Sequence, residues 1–312
     1  MRTNTVISRP SGGTQGDAGD LVYVLVTPAR NEAAFIERTI RSVLVQTSLP
    51  ARWIIVSDGS TDGTDEIVKK YTDRYEWIQL VRMPERKERH FAGKVYAFNA
   101  GYARLGELSY DIVGNLDADI SFDKDYFSFL ISRFADDTKL GVAGTPFREG
   151  TRQYDYRFTS IDHVSGACQL FRRECFEAVG GYKPIRGGGI DWVAVTTARM
   201  KGWHTQTFCE KVCIHGRPIG TAQGTGLAAR FRLGIKDYSL GGHLLWAVFR
   251  SLYQMKTTPY VLGGGCMFSG YIWAFLSRVE LSVPRDLVEF HQKEQMNRLK
   301  ALFIGMLRPN KL

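Results

Sequence analysis

An α/β protein is what this sequence predicts, with a mostly parallel sheet carrying helices on both faces. Short apolar runs of strand character recur along the first 120 residues. Between them lie segments with apolar residues at helical spacing, and polar, carboxylate-bearing segments directly follow three of the strands. Strand–helix alternation of this kind gives parallel pairing with crossover helices.

Leu21 to Val26 is a continuous apolar run, suited to a strand buried on both faces. Asn31 can then cap a helix in which Phe35, Ile36, Ile40, Val43 and Leu44 form one apolar stripe. Trp53 to Val56 is the second strand, and Thr64 opens a helix with Ile67, Val68 and Tyr71 inward. Trp77 to Val81 is strand-like, Gly93 to Arg104 helical, and Tyr110 to Leu116 a strand again. Past residue 225 the alternation stops and the sequence turns aromatic, basic and Gly-rich, which predicts a boundary near 220. The domain reading is therefore a loose Gly/Ser/Thr-rich tail over 1–20, a catalytic α/β domain over 21–220 and a helical region over 221–312.

With 312 residues, 44% hydrophobic and 23% charged, the chain can bury a full core and is not of disordered composition. The net charge of +9 implies an anionic partner or surface. Nucleotide phosphates, nucleic acid and anionic lipid would each satisfy it. The five cysteines are odd in number and irregularly spaced, which argues for reduced thiols rather than a disulfide framework. The first twenty residues contain no apolar signal-peptide core.

Ligands of such sheets bind beyond the carboxyl ends of the strands. Three segments would fall on that rim: Thr27-Pro-Ala-Arg-Asn-Glu32, Ser57-Asp-Gly-Ser60 and Asp117-Ala-Asp119. Two carboxylates one residue apart after a buried strand suit a hard divalent cation with open positions for phosphate oxygens. The structural alternative is an Asp-rich turn capping backbone amides. Asp58 can accept an N–H from a nucleobase, while Ser60 to Thr64 reads as a turn with a helix cap. Lys94, at a helix start, can meet a diphosphate, although a solvated lysine is the simpler reading of that residue alone.

Taken in order, these pieces resemble the family 2 inverting glycosyltransferases of GT-A fold. The resemblance rests on Thr27–Glu32, Ser42-Val-Leu-Val-Gln46, Ser57–Gly63, Gly93-Lys94 with Ala97-Phe-Asn99, and Asn115-Leu-Asp-Ala-Asp119. Farther on it includes Ser165-Gly-Ala-Cys-Gln-Leu-Phe-Arg172 and Gly180-Gly-Tyr182. It implies a nucleotide-sugar donor, most commonly a uridine nucleotide, held by Pro28, Ala29, Arg30 and Glu32, with Asp58 on the base. Lys94 and Asp117 would face the ribose-diphosphate, and Asp119 would hold Mn2+ or Mg2+. His215 and Arg217 sit where some GT-A enzymes carry a further metal ligand or diphosphate contact; the simpler reading of His215 is a satisfied polar residue. Gly166 and Trp192 would lie toward the acceptor.

The family's catalytic carboxylate usually stands in a Glu-Asp pair, eleven residues before a Gly-aromatic step. Counting back from Gly202-Trp203 gives Asp191, preceded by Ile190 rather than Glu. One carboxylate suffices as general base for inversion. Asp191 could equally cap the following helix. The Gln-x-x-Arg-Trp of processive synthases is replaced by Leu227-Ala-Ala-Arg230-Phe231, which implies addition of a single sugar rather than polymer extension.

No charge occurs between Lys256 and Arg278, about the span of a bilayer helix. Pro259 and Gly263-Gly-Gly265 within it suit an interfacial or re-entrant hairpin near 257–277 better than a spanning helix. Leu240, Leu244, Val248 and Leu252 with flanking Arg and Lys read as a basic amphipathic helix on anionic lipid, or as a helix packed on the fold. The expectation is peripheral or re-entrant attachment at the cytosolic face of the inner membrane, with a glycan or polyprenyl-linked acceptor and no nucleic-acid partner. A nucleotidyltransferase would need a Gly-rich phosphate loop after the first strand, where Thr27–Glu32 has no glycine. A nucleotide-binding scaffold without catalysis is the other alternative, and Ile190 alone speaks for it.

Overall fold

The computed structural model describes residues 21–85, 92–149, 152–153, 160–185, 187–217, 226–256 and 258–307, so the tail predicted over 1–20 lies outside the described residues. The chain divides into two compact units: Met1–Arg186 with Ile190–Pro218, and Gly187–Gly189 with Ile219–Leu312.

In the first unit the elements run β1 (Tyr23–Ala29), α1 (Ile36–Leu44), β2 (Arg52–Asp58), α2 (Thr64–Thr72), β3 (Ile78–Met83), α3 (Ala92–Ala103), β4 (Ile112–Leu116), β5 (Ile120–Ser121) and α4 (Tyr126–Asp136). They continue as β6 (Leu140–Gly144), β7 (Phe147–Glu149), β8 (Arg152–Gln153), β9 (Cys168–Arg172), α5 (Arg173–Val179), α6 (Ile190–Met200), β10 (His204–Thr207) and β11 (Cys213–His215). Seven strands form the main sheet in the order β10-β6-β9-β4-β1-β2-β3. β3, β2, β1 and β4 are mutually parallel, whereas β9 runs antiparallel to both β4 and β6. The expected mostly parallel sheet is present, with one reversed strand in its middle.

Alternation along the central strands divides the core into two layers. Tyr23, Leu25, Trp53 and Ile55 face Ile36, Ile40 and Phe127 on one side, while Val24, Val26, Ile54 and Val56 face Val95, Phe98 and Phe176 on the other. All these strand residues are at most 2% exposed, which explains why they read as unbroken apolar runs.

Two sequence expectations need correction here. β1 extends to Ala29, so Pro28 and Ala29 pair with Val56 and Ser57 as strand residues instead of forming a loop. Asn31 does not cap α1, which starts five residues later after Phe35. It takes a positive φ of 56° and accepts from the Thr61 N–H at 2.9 Å, tying the first rim segment to the second. Asn tolerates that backbone region better than most residues. The turn expected after Asp58 is found, with Asp62 accepting from the Thr64 N–H, but the N-cap position is Gly63, which has no side chain to cap α2.

The second unit holds α7 (Leu227–Ser239), α8 (Leu244–Gln254), α9 (Leu262–Leu276) and α10 (Arg285–Leu307). Of the uncharged run, Leu262–Leu276 forms one continuous helix, α9, so no hairpin turn falls within those residues. Two of its glycines are absorbed by close packing: a Cβ on Gly264 would run into the Ser251 carbonyl of α8, and one on Gly270 into the Phe231 carbonyl of α7. The Leu240–Leu252 stripe is likewise not one helix. It breaks at Gly241, which has φ 79° and leaves no room for a Cβ beside Val288. Leu240 is buried, while Leu244 and Leu252 are about half exposed, at 47% and 56%. Among the described residues no helix is long and apolar enough to cross a membrane.

Candidate active site

The parallel register places the three rim segments side by side. Ala29 stands opposite Ser57 and Val26 opposite Asn115, so Arg30 and Asp58 emerge at one level, with Asp117 two residues short of them on the neighbouring strand. Antiparallel β9 begins at this rim, and the Asp117 N–H donates to the Ala167 carbonyl at 2.9 Å. Reversal of that one strand is what brings Ser165-Gly-Ala167 beside the Asp-x-Asp turn.

Gly166 is consequently the centre of a polar cluster. Its carbonyl accepts from Asn115 Nδ2 at 2.8 Å and from Lys94 Nζ at 3.2 Å, and its N–H donates to Asp191 Oδ2 at 3.2 Å. Lys94, in the first turn of α3, also pairs with Asp117 Oδ1. One residue therefore links the lysine expected at the diphosphate to the carboxylate expected as the base. Gly166 is occupied in positioning Asp191, and a Cβ there would lie 3.0 Å from the Asp191 Cβ. Asp191 does not cap its own helix in this arrangement; it sits in the first turn of α6 and reaches across to β9.

Asp58 is 5% exposed and lies 3.9 Å from Arg30 Nη1, at the carboxyl end of β2. Gly59 follows it with φ 66°, and a Cβ there would meet the Glu85 backbone, so the turn beneath Asp58 demands glycine. Ala29 is 2% exposed within the core, so its side chain is not available to a nucleotide. Burial in the site pushes the Asp117 carboxyl up, with Lys94 opposing. Pro28 and Trp192 are half-buried.

A small second sheet delivers the remaining residues. β5 follows the Asp-x-Asp turn and pairs with β11, placing His215 opposite Ile120, and the Gly216 N–H donates to the Asp119 carbonyl at 2.7 Å. His215 Nε2 thereby comes within 3.6 Å of Asp119 Oδ2. Arg217 Nε lies 2.7 Å from the same oxygen, and Arg217 Nη2 is 2.6 Å from Glu32 Oε1. Glu32 is 6% exposed; burial pushes its pKa to about 6, with Arg217 opposing, and its Oε2 has no hydrogen-bond partner. The sequence reading put Glu32 on the nucleotide; its visible partner is Arg217.

Asp119 and His215 supply two donors, and no group of three or more His, Cys, Asp or Glu able to hold an ion occurs among the described residues. An oxygen and an imidazole nitrogen on facing strands, with a buried carboxylate oxygen that accepts no well-directed hydrogen bond, fit a divalent ion whose other positions are filled by diphosphate oxygens and water.

The mostly parallel seven-stranded sheet with its helices matches the GT-A fold of solved glycosyltransferases. Residues 24–161 match the family "Glycosyl transferase family 2". Over 185 residues it is 37% identical to the poly-beta-1,6-N-acetyl-D-glucosamine synthase of Staphylococcus aureus (strain COL), a match covering 59% of this chain and 42% of that protein. The chain thus spans less than half the length of that relative. Among solved structures, the mannosyltransferase PcManGT from Pyrobaculum calidifontis, in complex with GDP-Man and Mn2+, aligns with TM-score 0.54 at 20% identity, covering 91% of this chain and 81% of that one. S. aureus TarS 1-349 in complex with UDP-GlcNAc aligns with TM-score 0.52 at 12% identity and the same coverages. At these identities the structural likeness establishes the fold alone.

Proposed function

We propose that the chain is a metal-dependent inverting glycosyltransferase that adds one sugar, from a UDP-sugar such as UDP-N-acetylglucosamine, to a glycan or polyprenyl-linked acceptor at a membrane surface. The observation that carries this reading is the bonded chain Asp117–Lys94–Gly166–Asp191, which holds the two halves of the chemistry in one network. Asp58 accepts from the base, and Lys94 lies where charge grows on the departing diphosphate. Asp191 removes the proton from the acceptor hydroxyl, which then attacks the anomeric carbon on the face opposite the diphosphate. With Asp119 and His215 as its protein ligands, Mn2+ or Mg2+ would supply further charge neutralisation on the leaving group. The synthase relative's name points to an N-acetylhexosaminyl donor.

Single addition is supported by Leu227 and Phe231 at the positions of Gln and Trp, with Arg230 bonded to Gln254 Oε1 at 2.5 Å inside the second unit. Membrane attachment is supported by half to fully exposed Leu245, Tyr260, Val261, Leu262, Phe275 and Leu276 in that unit, near basic Arg232 and Lys256. Cytosolic placement follows from the need for cytosolic nucleotide-sugar. Incubation of the protein with UDP-N-acetylglucosamine, Mn2+ and a lipid-linked glycan fraction tests the reading: singly extended product is expected. Long polymer that persists through a chase with excess unlabelled donor would overturn the single-addition part.

A further inference from the structure

The metal reading leaves Arg217 unexplained, because its guanidinium stands on the carboxylate that would bind the ion. Asp119 and Glu32 are 5% and 6% exposed, and Arg217 bridges them. Two buried carboxylates sharing one cation are compensated only while that cation remains. A divalent ion bound to Asp119 Oδ2 at about 2 Å would share that oxygen with a guanidinium nitrogen 2.7 Å from it. Ion and arginine therefore repel one another and compete for one carboxylate charge.

The backbone of the same residue prepares the other ligand. The Arg217 carbonyl can only accept, so His215 Nδ1 carries the proton of their hydrogen bond. In the neutral ring that leaves Nε2 as the acceptor, 3.6 Å from Asp119 Oδ2, so the pair can share a cation. The Arg217 side chain is 36% exposed, so it has a route off the carboxylates, and a diphosphate offers it a bidentate partner.

We propose that Arg217 is an exchangeable counter-cation that makes metal binding at Asp119 conditional on the nucleotide. With no donor bound it holds the metal's place on Asp119 and Glu32; as the diphosphate arrives with the ion, the guanidinium transfers to phosphate oxygens. The proposal rests on the assignment of Asp119 to the metal–diphosphate site and adds an order of binding to it.

The test is a Mn2+ titration of the full chain followed by the paramagnetic resonance of free Mn2+, with and without UDP. The wild type should bind Mn2+ weakly alone, and UDP should tighten it at least about tenfold by linkage. Arg217→Met should tighten Mn2+ at least about tenfold without nucleotide, since it bares two buried carboxylates, while weakening UDP at saturating Mn2+. Arg217→Lys should lie between the two. A folded Arg217→Met protein with unchanged Mn2+ affinity would overturn the proposal. So would a wild type whose Mn2+ affinity is indifferent to bound UDP, a result that needs no variant to fold. If UDP bound in no condition, the glycosyltransferase reading and the nucleotide-conditional exchange would fail together, whereas bound UDP with unchanged Mn2+ affinity would sink the exchange alone.

Discussion

At the scale of single residues, the site is a set of charges whose partners are already committed. Asp191 accepts from the Gly166 N–H, so its carboxylate is oriented before any acceptor arrives. Replacement by Asn keeps that shape and removes the base. Asp191→Asn should bind UDP normally and lose transfer by at least about 10²-fold, the low end of general-base contributions. Turnover near wild type in a steady-state assay would place the base elsewhere. Gly166→Ala makes a subtler case, because the added methyl meets the Asp191 Cβ at 3.0 Å. A displaced base should lower kcat with little change in KM for the donor, and a matched fall in donor affinity would show that the Lys94 contact had been lost as well.

The elements owe their placement to buried polar anchors as much as to apolar pattern. Gln46 shows this. Its Nε2 donates to the Ser42 and Asp123 carbonyls at 2.9 and 2.7 Å, and its Oε1 accepts from the Phe127 N–H in the first turn of α4. It thus caps a helix 81 positions away and pins the segment that follows Asp119. Gln46→Ala should cost about 1–3 kcal/mol in denaturant unfolding, since it orphans buried groups on two elements. Strands β1, β2 and β4 were legible because residues buried on both faces leave no alternation to misread. β5 and β11 were not, being two and three residues long and defined only by pairing with segments distant in sequence. For the same reason the sequence pointed to His215 and Asp119 separately but gave no sign that Glu32 and Arg217, 185 positions apart, share an ion pair. In α9 the low helix propensity of Gly263–Gly265 argued for a turn, and close packing of Gly264 against α8 and of Gly270 against α7 overrode it.

For the whole molecule, the net charge of +9 and the exposed apolar side chains of the second unit bear on where it works. The full chain should co-sediment with vesicles containing anionic lipid, more weakly as salt rises, because surface attraction is screened within about 10 Å at 0.1 M. Leu245→Glu with Leu276→Glu should reduce that binding while leaving UDP affinity alone. Equal binding to neutral and anionic vesicles, or none to either, would make these helices packing elements and nothing more. The central claim, however, is the metal-dependent grip on a nucleotide, and calorimetric titration with UDP tests it most directly. Binding should require Mn2+ or Mg2+ and should be lost in Asp119→Ala, where the ion that neutralises the diphosphate has lost its carboxylate ligand. UDP binding of full strength without a divalent ion, or in that variant with one, would contradict the account.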